Sequence, residues 1–153
     1  AALALDPQSA PIKGNLERVK GLAKAQPASA SPSSGGLDQA VVLLNKGKFQ
    51  AALPLLDAHV KAHPEDAAGH VARGSALLHL HKVDDALRAY GQALVLRPDL
   101  SLAHFGLGEV YRLQGDLKRA TAHYKSYLGS AGSDRNPLYD DGAKGRIRAL
   151  ASF

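Results

Sequence analysis

A period of 34 residues runs through the sequence and constrains its fold more than any other feature. Ala52, Ala86 and Ala120 recur at that spacing, as do Leu56, Tyr90 and Tyr124. Pro64 and Pro98, Gly74 and Gly108, and His70 and His104 keep the same register. Self-similarity at such a period marks a stack of supersecondary units, none of which can bury its apolar face alone. Within one unit, Ala86, Leu87, Tyr90, Ala93, Leu94 and Leu96 form a helical stripe. Asp84 and Asp116 are N-cap candidates, Pro98 with Asp99 stops a helix, and Ser101 can cap the next. Pro54 falls in a helix of the first unit and is expected in its first turn, where a missing amide costs little. No strand is predicted, so the expected class is all-α.

The residues that carry the period also carry a resemblance. The stretches GHVARGSALLHLHKVDDALRAYGQALVLRP (69–98) and AHFGLGEVYRLQGDLKRATAHYKSYL (103–128) resemble tetratricopeptide repeats. Gly74 and Gly108 stand where the first helix of a pair, helix A, must approach its neighbour closely. Ala86 and Ala120 do the same for the second, helix B. Tyr90 and Tyr124 occupy the large-residue position, Pro98 closes a repeat, and Gly115 with Asp116 turns helix A into helix B. The resemblance implies three helix-turn-helix repeats, about 33–66, 67–100 and 101–134, wound into an α–α superhelix. Repeat one keeps Gly47, Phe49, Ala52, Leu56 and Pro64 but has Ala40 where Gly is usual. Repeat three has Tyr127 for a small residue and Gly132 for the closing Pro.

Residues 137–151 read as a C-terminal capping helix with Pro137 in its first turn. Asp140 and Asp141 near its start, and Lys144, Arg146 and Arg148 toward its end, suit the helix dipole. Leu138, Ile147 and Leu150 are expected to cover the last repeat. At the other end, Leu3, Leu5 and Pro7 match Leu94, Leu96 and Pro98, as if residues 1–7 were the tail of a preceding repeat. A helix over 9–25, with Ile12, Leu16, Val19 and Ala23 on one face, is followed by a Ser/Pro/Gly linker, 26–36. The expected organisation is thus 1–25, a linker 26–36 and a repeat domain 37–153. The sequence has no Met, even at position 1, and is expected to be a segment of a longer repeat protein.

Composition narrows the function. Lys plus Arg is 19 and Asp plus Glu 14, a net charge of +5 without a basic block, so no nucleic-acid footprint is expected. No apolar run approaches the ~20 residues of a membrane helix. The absence of Cys excludes thiol chemistry and fits cytoplasm, which is slightly favoured, as well as periplasm. The Ala-, Gly- and Arg-rich composition suggests a bacterial source. There is no phosphate-cradling glycine loop. His59 and His63 have the i,i+4 spacing of metal ligands, and His79 and His81 end another helix, but no acidic or sulfur ligand is placed with them. His70 and His104 fall where a large aromatic is common and are read as packing residues. Ser75 is mid-helix, not on a nucleophile elbow. No catalytic residue, metal or cofactor is expected.

What remains is a groove, and its residues are those the resemblance implies. The A helices of such repeats line a concave face that holds a peptide or partner helix. Here that face comprises Leu37, Val41, Leu44 and Asn45 in repeat one, and Val71, Ser75, Leu78 and His79 in repeat two. Repeat three contributes Leu102, Phe105, Glu109, Arg112 and Leu113. The lining is mostly apolar, with a polar spot at His79, Glu109 and Arg112. Some members hold a terminal carboxylate with a Lys/Asn/Arg clamp; Leu37 and Val41 stand at its first-repeat positions, so that clamp is not expected here. The expectation is a non-catalytic adaptor for a peptide or amphipathic helix of a partner protein. The alternative is a scaffold that self-associates through its repeat faces or by exchange of the helix at 9–25.

Overall fold

The computed structural model describes residues 32–152, with side chains from residue 35. The expectations for 1–25 and for most of the linker lie outside the described residues. The repeats lie within one compact unit, 36–153. The helices are α1 (Pro32–Asn45), α2 (Phe49–Ala62), α3 (Ala67–His79), α4 (Val83–Leu96), α5 (Ser101–Leu113), α6 (Leu117–Gly129) and α7 (Asp140–Ala151). A 3-10 turn, Pro137–Tyr139, precedes α7. No strand occurs among the described residues. Helix α1 starts inside the segment read as linker, because Pro32 fits a first helical turn, where no amide is needed.

Successive helices pack in order, α2 on α3, α3 on α4, α4 on α5, α5 on α6 and α6 on α7, and α3 also meets α5. A and B helices thus alternate along the stack, with α3 and α5 as neighbouring A helices. The close approach rests on absent side chains. A Cβ on Gly74 would lie 2.9 Å from the Tyr90 ring, and one on Gly108 would lie 2.5 Å from that of Tyr124. Tyr90 and Tyr124 therefore fill, from helix B, the volume that glycine leaves open on helix A. Ala52, Ala86 and Ala120 are fully buried on the opposite partners.

Each A–B turn needs one residue in the left-handed region, where only glycine is free of steric cost. Gly47 (φ +71°), His81 (φ +61°) and Gly115 (φ +81°) supply it, again 34 residues apart. The B–A turns share a different device. His70 Nε2 donates to Pro64 O at 3.0 Å, and His104 Nε2 donates to Pro98 O at 3.1 Å. These histidines thus fasten the repeat-closing prolines.

Several local expectations are corrected. Asp116 does cap α6, accepting from Arg119 N at 3.0 Å. Asp84 does not cap α4: it lies in the first turn after Lys82 and accepts from Gln114 Nε2 at 3.1 Å. Ser101 does not cap α5 either, being its first residue. The Asp134 carboxylate does that work from 33 residues away, accepting from Ser101 N (3.0 Å) and Leu102 N (2.9 Å). Pro54 is the sixth residue of α2, past the first turn, so it forfeits the bond its amide would have made to Gln50 O. It is exposed there, which leaves that carbonyl to water.

Around α7 the picture is mixed. Ala143 is buried, and Ile147 and Leu150 pack with it against Tyr124 and Tyr127. Leu138 does not cover the repeat: it is 85% exposed, because it sits in the 3-10 turn and Tyr139 instead turns inward onto Phe105. Tyr127, unexpected at a small-residue position, is fully buried, and its hydroxyl donates to Asn136 O at 2.5 Å. Burial, with Asp140 3.0 Å from the hydroxyl, pushes its phenol up to about 12. Arg135 closes this segment with an ion pair to Asp140 (2.6 Å), which holds that carboxyl below its ordinary value.

Candidate functional site

Helices α3 and α5 lie side by side, and the segment 134–146 flanks α5, so the three enclose a groove of about 1030 Å³. Nine of the thirteen concave-face residues expected from the sequence line it: Val71, Ser75, Leu78 and His79 from α3, and Leu102, Phe105, Glu109, Arg112 and Leu113 from α5. Leu37, Val41, Leu44 and Asn45 do not. Leu37 packs with Leu44 against the core, while Val41 and Asn45 are exposed on α1. The groove also takes in His81, Asn136, Leu138, Tyr139, Gly142 and Arg146, which sequence reasoning did not place there. A signal existed. Gly142 continues the register of Gly74 and Gly108, so α7 occupies the place of a fourth helix A.

Aromatic contacts build one wall. The Phe105 and Tyr139 rings stack at 5.1 Å and 24°, and Phe105 meets Tyr124 and Tyr127 edge-on at 5.9 and 5.4 Å. At the far end His79 donates from Nδ1 to Ser75 O (2.8 Å) and stacks on Phe49 of α2 at 4.1 Å.

The floor is polar. Glu109 is buried, and its carboxylate accepts from Tyr124 Oη (2.7 Å) and Arg112 Nη2 (3.0 Å) and pairs with Arg146 Nε. Burial, then this carboxylate, push the Tyr124 phenol far up, so the hydroxyl stays a donor. The Glu109 contact in turn holds the Arg112 guanidinium protonated. Arg146 also lies over the Phe105 ring, its Cζ 5.6 Å from the centroid. Gly142 makes room for it: a Cβ there would stand 3.0 Å from Arg146 Nη1.

His59 is buried with Nε2 2.6 Å from Asp66, which also caps α3 through Ala68 N. Burial raises the Asp66 carboxyl, but the His59 ring and the amides of Gly69 and Ala68 outweigh it and hold it below its ordinary value. Among the described residues no group of three or more His, Cys, Asp or Glu is arranged to hold a metal ion. No helix among them is long and apolar enough to cross a membrane.

A tetratricopeptide repeat family model matches residues 37–99 and 80–136. The chain belongs to the tetratricopeptide repeat family. Solved structures share the tetratricopeptide fold at low identity. The Yersinia enterocolitica type III secretion chaperone SycD, in complex with a peptide of the translocator YopD, is 15% identical, with a TM-score of 0.69 over 78% of this chain and 92% of that one. PcrH in complex with the chaperone binding region of PopD gives 18%, 0.70, 78% and 90%. The first tetratricopeptide domain of Spaghetti (RPAP3), bound to the HSP90 peptide SRMEEVD, gives 17%, 0.67, 78% and 90%. No curated protein matches the sequence.

Proposed function

We propose that this tetratricopeptide domain is a non-catalytic interaction module that seats an apolar stretch of a partner protein, as a peptide or amphipathic helix, between α3, α5 and α7. The observation that carries the reading is the groove itself. Val71, Leu78, Leu102, Phe105, Leu113 and Tyr139 are only partly covered, and they converge on one concavity. Apolar side chains held half-open in a preformed cleft gain their remaining burial only from a ligand. Structures of like fold hold peptides of other proteins, which supports the same use here.

The test uses exposed wall residues, so that folding is not disturbed. Leu113 is 48% and Leu138 85% exposed, and both line the groove; Val95 is 76% exposed and lies outside it. Peptides selected on the wild-type domain from a phage-displayed random library should bind the Leu113→Ser, Leu138→Ser double variant about tenfold more weakly. Val95→Ser should bind them as wild type does. Equal binding by the double variant would overturn the reading.

A further inference from the structure

We infer that the occupant of this groove carries an Asp or Glu side chain between apolar residues, and that Arg112 and Arg146 receive it. The inference rests on the groove being the partner site. It comes from a charge count that does not balance. Among the described residues, Glu109 and Asp134 are the only carboxylates that line the groove. Asp134 is spent on the amides of Ser101 and Leu102 at the start of α5. Glu109 alone faces two guanidinium groups, Arg112 and Arg146, and also accepts from Tyr124. One positive charge at the floor is therefore uncompensated by any groove residue.

Hydrogen-bonding capacity is left over as well. Glu109 takes a single N–H of the five on Arg112, and the side chain, which lines the groove, stays 38% exposed. An incoming carboxylate would add a charge-assisted, two-pronged bond that an amide cannot match. The two arginines are already held in place, Arg112 by Glu109 and Arg146 by Glu109, the Phe105 face and the gap at Gly142. Little side-chain freedom is then lost on binding. Position chooses between an internal side chain and a chain terminus. Leu102 and Phe105 flank the arginine pair toward the start of α5, and Leu113 flanks it toward the end. A chain crossing the pair meets apolar wall on both sides, so the acid belongs inside an apolar stretch.

The same displayed library tests this, since its peptides are fused at their C-termini and offer no terminal carboxylate. Selection on the wild-type domain should enrich Asp or Glu with apolar residues on both sides. A synthetic peptide of the selected sequence should bind about tenfold more tightly than its Asn or Gln counterpart. Arg112→Gln with Arg146→Gln should abolish that preference and still bind the apolar part. Selected peptides without an acid, or equal binding of the acid and amide forms, would overturn the inference and leave the groove reading standing. Peptides indifferent to Leu113→Ser, Leu138→Ser, or no peptide recovered at all, would remove both. Should the arginine variants lose helicity by circular dichroism, salt decides on the unaltered protein. Added salt must weaken the acidic peptide and spare the amide form, and an equal response overturns the inference.

Discussion

A Cβ on Gly106 would stand 2.3 Å from Cζ of Tyr90. The same ring lies against Gly74, so Tyr90 on α4 is held between the A helices of two successive repeats. Gly106→Ala must push that buried ring aside and should cost about 1–3 kcal/mol, read as a lower urea midpoint. Gly91 on α4 offers the contrast, since nothing lies within 4 Å of a Cβ placed there. Gly91→Ala should gain about 0.5–1 kcal/mol from helix propensity. Equal effects of the two would show that helix contact is not what glycine serves here.

Glu109 joins three side chains, and they will not miss it equally. Arg112 and Arg146 are each more than a third exposed and can turn to water, but the Tyr124 hydroxyl is buried. Glu109→Ala should therefore cost about 2 kcal/mol, mostly from an orphaned phenol. Adding Tyr124→Phe to that variant should cost much less than it does in the wild-type background. Additive losses in chemical denaturation would assign the cost to the arginines instead.

The histidine pair between α5 and α6 predicts a response to acid. His104 Nε2 donates to Pro98 O, so in the neutral ring its Nδ1 accepts from His123 Nδ1 at 3.1 Å. Burial, then the nearness of His104, holds the His123 ring below its ordinary 6.5. Tyr111 stacks on it at 5.4 Å, and Arg119 lies over the Tyr111 ring. The unfolded chain binds the proton more readily, so stability is full above 6.5 and falls as pH drops through and below it. Asp66 and Asp140, held below 3.8, lose their contributions only in more acid solution. The melting temperature of wild type should fall on acidification below 6.5, and that of His123→Gln should fall less. Identical slopes would exclude His123 as the source.

His81 holds a conformation that its counterparts assign to glycine. At φ +61° its Cβ crowds the following carbonyl, whereas Gly47 and Gly115 have none. His81→Gly should stabilise the domain by about 0.5–1 kcal/mol, and His81→Val should destabilise it, both read as thermal midpoints. A lower midpoint for the glycine variant would reveal a contact of the ring worth more than the strain.

How much of the fold and groove is legible in the sequence depends on the range of each signal. The pairing of Gly74 with Tyr90 and Gly108 with Tyr124 can be read, because both partners recur at the period. The A-helix share of the groove can be read for the same reason. Asp134 cannot be seen as the cap of α5, because capping patterns lie beside a helix and not 33 residues downstream. Position 100, where a local cap would stand, holds Leu100, while Asp66 and Asp134 occupy that register one period either side. Pro54 is misplaced by sequence because a helix start without a capping side chain leaves no mark: Lys48 stands at the N-cap and makes no such bond. The groove's third wall is hidden as long as 137–151 is treated as a cap rather than as another helix A.

Helix α7 of that third wall is packed on Tyr124 and Tyr127, but the turn that leads into it is hung. Leu138, at its lip, is 85% exposed and touches little. What locates the segment is a set of polar fastenings: Asp134 to the amides of α5, Asn136 O to the Tyr127 hydroxyl, and Arg135 to Asp140. Such fastenings are directional and short-ranged, so they tolerate small rotations poorly and yield by letting go rather than by stretching. The mouth of the groove thus behaves as a latched gatepost, with one width while its latches hold and none defined once they part.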